Sequence, residues 1–313
     1  MAMETGNSGH LIRSEIWSSQ LKEVLEDELQ ATTYVNWMNE FPDGDTFTIP
    51  SVGQAVTDDY NENEAVKYRA LDTGEFQFTI DQYKSSAHYI TNKAKQDGFY
   101  MSQLISSFVP KQGRAILEAV ETDILGLQSE QTASDLNNIN GAPHRFVASG
   151  TNEVFAVADF AKARYSLKKA NVPDTNLVAI VDPSVEYTIN TLTNITNVSN
   201  NPRWEGIVSD GIATGMKFVK NVYGFDVYTS NYLADANETV DSVTTAAGKA
   251  NLFFSAASDV LPFVGAWRQM PMVDSEYNKD FQREEYVTTA RYGTKIYRPE
   301  NLVTVLTSTD VIV

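Results

Sequence analysis

The 313-residue sequence contains no cysteine and only three histidines. The lack of cysteine excludes disulfides, thiol nucleophiles and cysteine-ligated zinc together. His10, His88 and His144 are dispersed, and none has the spacing of a metal-binding motif. Zinc or histidine-based catalysis is therefore not expected, and the imidazoles should face solvent or be held by ordinary hydrogen bonds.

Long apolar runs and positive charge are also scarce. No segment approaches the roughly 20 apolar residues of a bilayer span, and Met1 to His10 lacks the pattern of a signal peptide. We therefore expect a protein made in the cytoplasm without membrane association. The 24 basic residues against 41 acidic ones give a net charge of −17, which argues against specific nucleic-acid binding. Solubility alone also accounts for such acidity.

Short motifs for catalysis or ligand binding are missing as well. The segment 211–217 resembles a phosphate loop, but its glycine spacing is one residue short. Asp59, Asn61 and Asn63 alternate like calcium ligands, but Glu64 stands where a calcium loop needs glycine. The sequence therefore predicts no catalytic, cofactor-binding or metal-binding residues.

The beginning of the chain has the pattern of an amphipathic helix. Over residues 16–32, Trp17, Leu21 and Leu25 fall on one stripe, with acidic residues off it. Such a helix packs either on its own domain or across a neighbouring molecule.

Two strands of period two follow, separated by a long acidic connection. Strands are predicted at 46–50, ending at Pro50, and at 75–81. A connection as long as 51–74 is uncommon inside a compact domain. If it is a two-armed ribbon, each arm of about 12 residues reaches about 40 Å. A disordered linker is the alternative.

The strongest helical pattern covers residues 97–131. Ile116, Val120 and Ile124 recur on one face, and Pro110 is predicted to begin a second piece of helix. An apolar face of this length requires a sheet or another helix against it.

An α/β region comes next. Helices are predicted at 157–170 and 183–192, and the apolar run 177–181 indicates a strand buried on both faces. Residues 234–250 are predicted to be an exposed loop. Further strands are predicted at 218–222, 225–229, 252–256, 260–267, 285–297 and 302–306.

The order of these elements resembles the major capsid protein of tailed bacteriophages. Three stretches carry most of the likeness: Pro110–Leu125 in the position of the spine helix, Gly224–Asn231 after a tight turn, and Tyr292–Val303 with its Arg-Pro. The resemblance implies an α+β fold with a long spine helix on a P-domain sheet, an α/β A-domain, an extended E-loop and an N-arm. The implied divisions are N-arm 1–44, E-loop 45–82, P-domain 83–150 with spine helix 97–131, A-domain 151–272, and return to P-domain strands 273–313.

The resemblance also implies a function and partners. Copies would assemble into hexamers and pentamers of an icosahedral shell, the virion capsid around the phage genome, built in the bacterial cytoplasm. Since the E-loop begins near residue 45, we expect a separate scaffolding protein, together with a portal protein and decoration proteins on some heads. Residues expected to take part in assembly are Trp17, Leu21, Leu25, Asp58, Asp59, Glu62, Glu64, Lys67 and Arg69.

Some capsid relatives join subunits by Lys–Asn cross-links. Lys67 is the only lysine between Pro50 and Asp81, and no acid–base arrangement in its vicinity marks it out, so cross-linking is not expected. Three alternatives stay open at this point: an encapsulin-like compartment shell protein, an α/β enzyme, and a tail or adhesin component.

Overall fold

The computed structural model of the chain describes residues 29–38, 46–52, 57, 59, 62, 65, 73–98, 101–132, 137–191, 218–240, 243–244 and 248–308. The helices in these ranges are α1 (Asn92–Asp97), α2 (Met101–Gly126), α3 (Val157–Lys169) and α4 (Pro183–Thr191), with 3-10 helices at Ala31–Tyr34, Leu127–Thr132, Thr151–Glu153 and Pro299–Asn301. The strands are β1 (Val35–Met38), β2 (Thr46–Val52), β3 (Thr73–Thr79), β4 (Gln82–Thr91), β5 (Asn138–Ile139), β6 (Ala142–Pro143), β7 (Arg145–Val147), β8 (Leu177–Val181), β9 (Phe218–Val222), β10 (Phe225–Thr229), β11 (Asp235–Ala236), β12 (Thr239–Val240), β13 (Val243–Thr244), β14 (Gly248–Ser255), β15 (Phe263–Asn278), β16 (Arg283–Ile296) and β17 (Val303–Ser308).

A seven-stranded sheet forms one half of the structure. Its strand order is β7-β17-β14-β8-β10-β9, and β11 pairs with β14. All five residues of β8 are buried, which confirms the prediction of a strand covered on both faces. Phe253 and Phe254 on β14 belong to different core clusters, because successive side chains of a strand point to opposite faces. One cluster includes α3 and α4, and the other includes α2.

The helix α2 is one continuous element of 26 residues, so it is about 39 Å long. The predicted long helix is therefore present, but the prediction that Pro110 begins a second piece is wrong, since Pro110 lies inside α2. Pro110 is exposed. Further along α2, Val120 and Ile124 are fully buried, as the apolar stripe predicts.

A four-stranded sheet with the order β1-β15-β16-β4 packs under α2. Its centre is the long antiparallel hairpin of β15 and β16. The sequence did not indicate β4, because the small residues Ser85, Ser86 and Ala87 interrupt the alternation of large and polar side chains. β15 also runs to Asn278, well beyond the predicted end at 267.

The described residues of 234–250 do not form the exposed loop that their small polar composition predicted. Ala236, Val240 and Ala250 are buried and form a small cluster with Leu306. β11, β12 and the start of β14 lie in this segment. The buried residues of the segment are therefore its apolar ones, whereas Asp235 and Thr239 are exposed.

Candidate assembly surfaces

The ribbon of β2 and β3 is the predicted base of the E-loop. The two strands pair antiparallel from Thr46–Thr79 to Val52–Thr73, so the ribbon form is confirmed at its base. β2 continues past Pro50, contrary to the expected end there. A proline is tolerated in an edge strand because it removes a donor from one side only.

The described part of the ribbon is fixed to the body at its root. Phe78 and Ile80 are buried in a cluster with Val264 and Ala266 of β15. Gly293 on β16 allows the close approach, since a Cβ atom there would stand 2.5 Å from the backbone oxygen of Thr79. The root of the ribbon is therefore set rigidly on the four-stranded sheet.

Away from this root, the described residues of the ribbon become more exposed. Phe76 is only half-buried, with its ring 5.1 Å from that of Tyr297, while Gly74 and Glu75 are exposed. The described residues of the connecting segment, Thr57, Asp59, Glu62 and Ala65, are also exposed.

Two of the nine predicted assembly residues are described. Asp59 and Glu62 are exposed, as residues of a contact surface must be before assembly. The other seven lie outside the described residues: Trp17, Leu21, Leu25, Asp58, Glu64, Lys67 and Arg69. The predicted helix 16–32 falls outside them too, except for its last four residues, where a 3-10 helix begins at Ala31.

The segment that leads out of the predicted N-arm is anchored in the core by a carboxylate. Glu121 of α2 is fully buried and accepts hydrogen bonds from the backbone N–H groups of Gln30 and Ala31, each at 2.8 Å. A second oxygen accepts from Ala31 at 2.9 Å and from Thr32 at 3.3 Å. These donors open a 3-10 helix, where backbone N–H groups have no partner within the helix.

Aromatic packing completes this anchor. The Trp37 ring stacks on Trp267 with centroids 4.9 Å apart, and its Nε1 donates to the backbone oxygen of Thr32 at 3.0 Å. β1 pairs in parallel with the start of β15. The position at which the chain enters the body is therefore fixed by α2 and β15 together.

The contact between α2 and the four-stranded sheet includes buried polar groups. Gln112 Nε2 lies 2.8 Å from Nδ1 of His88, and its Oε1 accepts from Thr288 at 3.4 Å. Further along α2, the carboxylate of Asp123 forms an ion pair with Lys84 at 3.1 Å and accepts a hydrogen bond from the Tyr292 hydroxyl. Burial and this carboxylate raise the pKa of Tyr292 far above its usual value. The contact between α2 and the four-stranded sheet is therefore held by hydrogen bonds and an ion pair as well as by apolar packing.

The side chain of Arg145 joins the end of α2 to the edge of the seven-stranded sheet. This side chain is only 1% exposed, forms an ion pair with Glu238, and donates to the backbone and side-chain oxygens of Gln128 at 3.0 and 2.6 Å. Gln128 follows the end of α2, and Arg145 begins β7 at the edge of the seven-stranded sheet.

His144 is buried beside Arg145, with its ring nitrogens 3.1 and 3.2 Å from the backbone oxygens of Ala142 and Glu300. Burial lowers the pKa of His144 below the usual 6.5, although the two carbonyls oppose the shift.

A base with a lowered folded-state pKa stabilises the fold above its unfolded pKa and loses this contribution as the pH falls. We expect the free energy of unfolding to fall more steeply between about pH 7 and pH 5 in the wild type than in His144→Gln. Urea unfolding at several pH values measures this; parallel curves would contradict it.

The described ranges contain no cluster of three or more histidines or carboxylates arranged to hold a metal ion. Across the same ranges, no helix combines the length and hydropathy needed to cross a bilayer.

The sequence model of a family described as phage capsid protein matches residues 74–305. This chain belongs to the phage capsid protein family. The match runs from β3 into β17, so it includes α2, the seven-stranded sheet and three of the four strands of the other sheet, but not β1 or the residues that Glu121 holds. None of the curated proteins matches the chain.

Solved structures of capsids share the fold of this capsid chain. The structure from Mycobacterium phage Che8 is 17% identical with a TM-score of 0.68, and the match covers 94% of this chain and 96% of that one. The capsid structure of the cyanophage P-SCSP1u is 14% identical with a TM-score of 0.72, covering 97% and 94%. The mature capsid structure of bacteriophage PhiM1 is 11% identical with a TM-score of 0.71, and the match covers 96% of this chain and 93% of that one.

The family and the shared fold confirm the resemblance read from the sequence. The chain has the α+β fold of tailed-phage capsid proteins and is a structural subunit of a phage capsid, located in the virion. The encapsulin-like and enzyme alternatives are not favoured, since the matching family is one of phage capsids.

Proposed function

We propose that copies of this chain assemble into hexamers and pentamers of an icosahedral head, with the E-loop of each copy lying on a neighbouring copy. The observation that carries this proposal is the one-sided anchoring of the β2–β3 ribbon. Phe78 is buried at the root, whereas Glu75 and the described residues beyond Val52 are exposed. A ribbon that leaves its own body needs another surface to cover it.

The assignment of a role to each part of the chain is also part of this proposal. Residues 1–44 act as the N-arm, 45–82 as the E-loop, 83–150 and 273–313 as the P-domain, and 151–272 as the A-domain. Sheet membership does not follow these limits, since β15 runs across residue 272 and β17, within 273–313, pairs in the seven-stranded sheet. The two parts are therefore interwoven, and the limits stay predictions.

The role is structural and has no catalytic step. The further partners would be a scaffolding protein during assembly in the bacterial cytoplasm, a portal protein at one vertex, and decoration proteins outside. The net charge of −17 opposes close packing of copies, so salt, which shortens the screening length to about 8–10 Å at physiological strength, should favour assembly.

A loop replacement tests the role of the E-loop. Since Val52 pairs with Thr73, residues 53–72 can be replaced by a two-residue Asn-Gly turn without disturbing the register. We expect a soluble subunit that unfolds at the wild-type temperature but forms no closed shells, because the buried root residues Phe78 and Ile80 are kept and the described residues that are removed are exposed. Electron microscopy and sedimentation velocity report the assembly state, and thermal unfolding reports the fold.

A variant in which 53–72 is replaced by a Gly/Ser sequence of equal length is the matched control for chain length. Normal shells from the Asn-Gly variant would show that the E-loop assignment is wrong. A wild-type protein that stays monomeric at high concentration, at every salt concentration and with scaffolding protein present, would overturn the shell function itself.

A further inference from the structure

The β2–β3 ribbon makes a further contact with the body just outside its buried root. Lys295 of β16 donates from Nζ to the backbone oxygen of Gln77 at 3.1 Å, and the same ammonium group lies 5.4 Å from the ring centre of Phe76. The Phe76 ring also meets the ring of Tyr297 edge to face, with centroids 5.1 Å apart. Glu75, the next residue outward, is exposed. We call Lys295, Phe76 and Tyr297 the ribbon latch.

The body side of the ribbon latch is held in place by the core. The backbone N–H of Tyr297 donates to the backbone oxygen of Pro262 at 2.8 Å. Ile296, between Lys295 and Tyr297, is buried in the core cluster that includes α2. Since successive side chains of a strand point to opposite faces, burial of Ile296 directs Lys295 away from this cluster and toward the ribbon.

A cavity of about 340 Å³ adjoins the root of the ribbon. Asp81 and Gln82, which join β3 to β4, line it together with Glu130 and with Thr294, the residue before Lys295. Burial raises the pKa of Glu130, while the Lys295 charge opposes the shift and the Asp81 charge adds to it. The charge of Lys295 therefore acts on the segment after α2 as well as on the ribbon, and the cavity gives the root space to turn.

We propose that the ribbon latch sets the angle at which the E-loop leaves the body, with Lys295 as the positioning residue. The inference rests on the proposed function of the E-loop. Phe78 and Ile80 fix the root as a pivot, and the latch adds a second point of attachment two residues further out along β3. An extended arm of about 12 residues reaches about 40 Å, so a turn of about 10° at the pivot moves its far end by about 7 Å.

Two spin labels measure this angle. Because the chain has no cysteine, Glu62→Cys in the E-loop and Ala115→Cys on α2 can be labelled alone, and both positions are exposed. In the unassembled full-length subunit, Lys295→Met should shift the mean distance between the labels by about 5 Å or more, or broaden its distribution about twofold. Methionine keeps the apolar stem but loses the donor and the charge. Lys295→Arg keeps both and should leave the distribution close to that of the wild type.

Lys249→Met is the matched control for the loss of a lysine. Lys249 also donates from a strand to a backbone oxygen, that of Leu233 at 3.2 Å, but it lies on β14 in the seven-stranded sheet. This variant should leave the distance between the labels unchanged. An unchanged distribution in Lys295→Met, or an equal change in Lys249→Met, would overturn the latch.

A second variant takes the place of Lys295→Met if urea unfolding shows that it folds poorly. Tyr297→Leu keeps an apolar side chain against the root cluster but removes the ring that meets Phe76. It should shift or broaden the distribution as well. A folded Tyr297→Leu subunit with the wild-type distribution would overturn the latch in the same way.

Assembly of the same variants separates the latch from the proposed function. The distance is measured on unassembled subunits, so its outcome does not depend on whether shells form. A subunit whose E-loop leaves at a different angle should give fewer closed shells, as measured by sedimentation and electron microscopy. Normal shells from Lys295→Met with an altered distance would contradict the role of the E-loop in assembly and leave the latch standing.

Discussion

Glu121→Ala is expected to lower the free energy of unfolding by about 3 kcal/mol, the range for loss of a buried charged hydrogen-bonding group. The carboxylate is fully buried and accepts from three consecutive backbone N–H groups. Its removal leaves these donors without an acceptor in a place that water does not reach easily. Glu121→Gln keeps the side-chain volume but turns an amide N–H₂ toward a backbone N–H donor. The stability of this variant should therefore lie between those of the wild type and Glu121→Ala.

Glu118→Ala is the matched control, because it removes the same side chain one turn earlier on α2. The side chain of Glu118 is 32% exposed and pairs with Arg114 at 3.1 Å and with the Tyr232 hydroxyl at 3.0 Å. An exposed ion pair contributes at most about 1 kcal/mol. Equal losses in urea unfolding of the two alanine variants would contradict the anchoring role of Glu121.

The Glu121 anchor also bears on assembly. The predicted N-arm leaves the body at the residues that Glu121 holds, so a loosened anchor changes the direction in which the arm departs. Glu121→Gln should therefore reduce shell yield more than its loss of stability alone accounts for. Comparison with a core variant of equal stability loss, such as Ile124→Val, separates the two effects.

The repeating elements of this fold were predictable from the sequence. The period-two strands at the root of the E-loop, the apolar run of β8 and the stripe of Ile116, Val120 and Ile124 each follow from burial of one or two faces. Such patterns can be recognised in a single sequence because many residues contribute to each of them. The order of elements then sufficed to indicate the capsid family.

The anchoring residues were not predictable in the same way. Glu121 stands in α2 beside the buried apolar residues Val120 and Ile124, and Gln128 lies in the 3-10 helix that follows α2. In the sequence, a polar residue among apolar ones is the only sign of such a buried partner. The partners Ala31 and Arg145 are 90 and 17 residues away, so no local pattern indicates them. β4 was missed because Ser85, Ser86 and Ala87 do not alternate in hydropathy, although pairing with β16 determines the strand.

Glu238→Gln is expected to cost about 3 kcal/mol of stability, because breaking a buried ion pair leaves one charge without compensation. The two partners differ in exposure: the Arg145 side chain is 1% exposed and that of Glu238 is 23% exposed. Loss of Glu238 therefore leaves a guanidinium where it cannot be hydrated. Loss of Arg145 leaves a carboxylate that water can reach, but it also removes two donors to Gln128.

The double variant Arg145→Met/Glu238→Gln decides whether the pair stabilises the fold or only avoids a penalty. Replacement of a whole buried pair by uncharged side chains of similar size is often close to neutral. We expect the double variant to be more stable than Glu238→Gln alone, with a coupling energy of about 1–3 kcal/mol from the double-mutant cycle. Arg164→Met on α3 is the control, since its pair with Asp174 is largely exposed and should cost less than about 1 kcal/mol. Additive losses in the cycle would show that Arg145 acts through Gln128 alone, and that the end of α2, rather than the segment around Glu238, sets the position of β7.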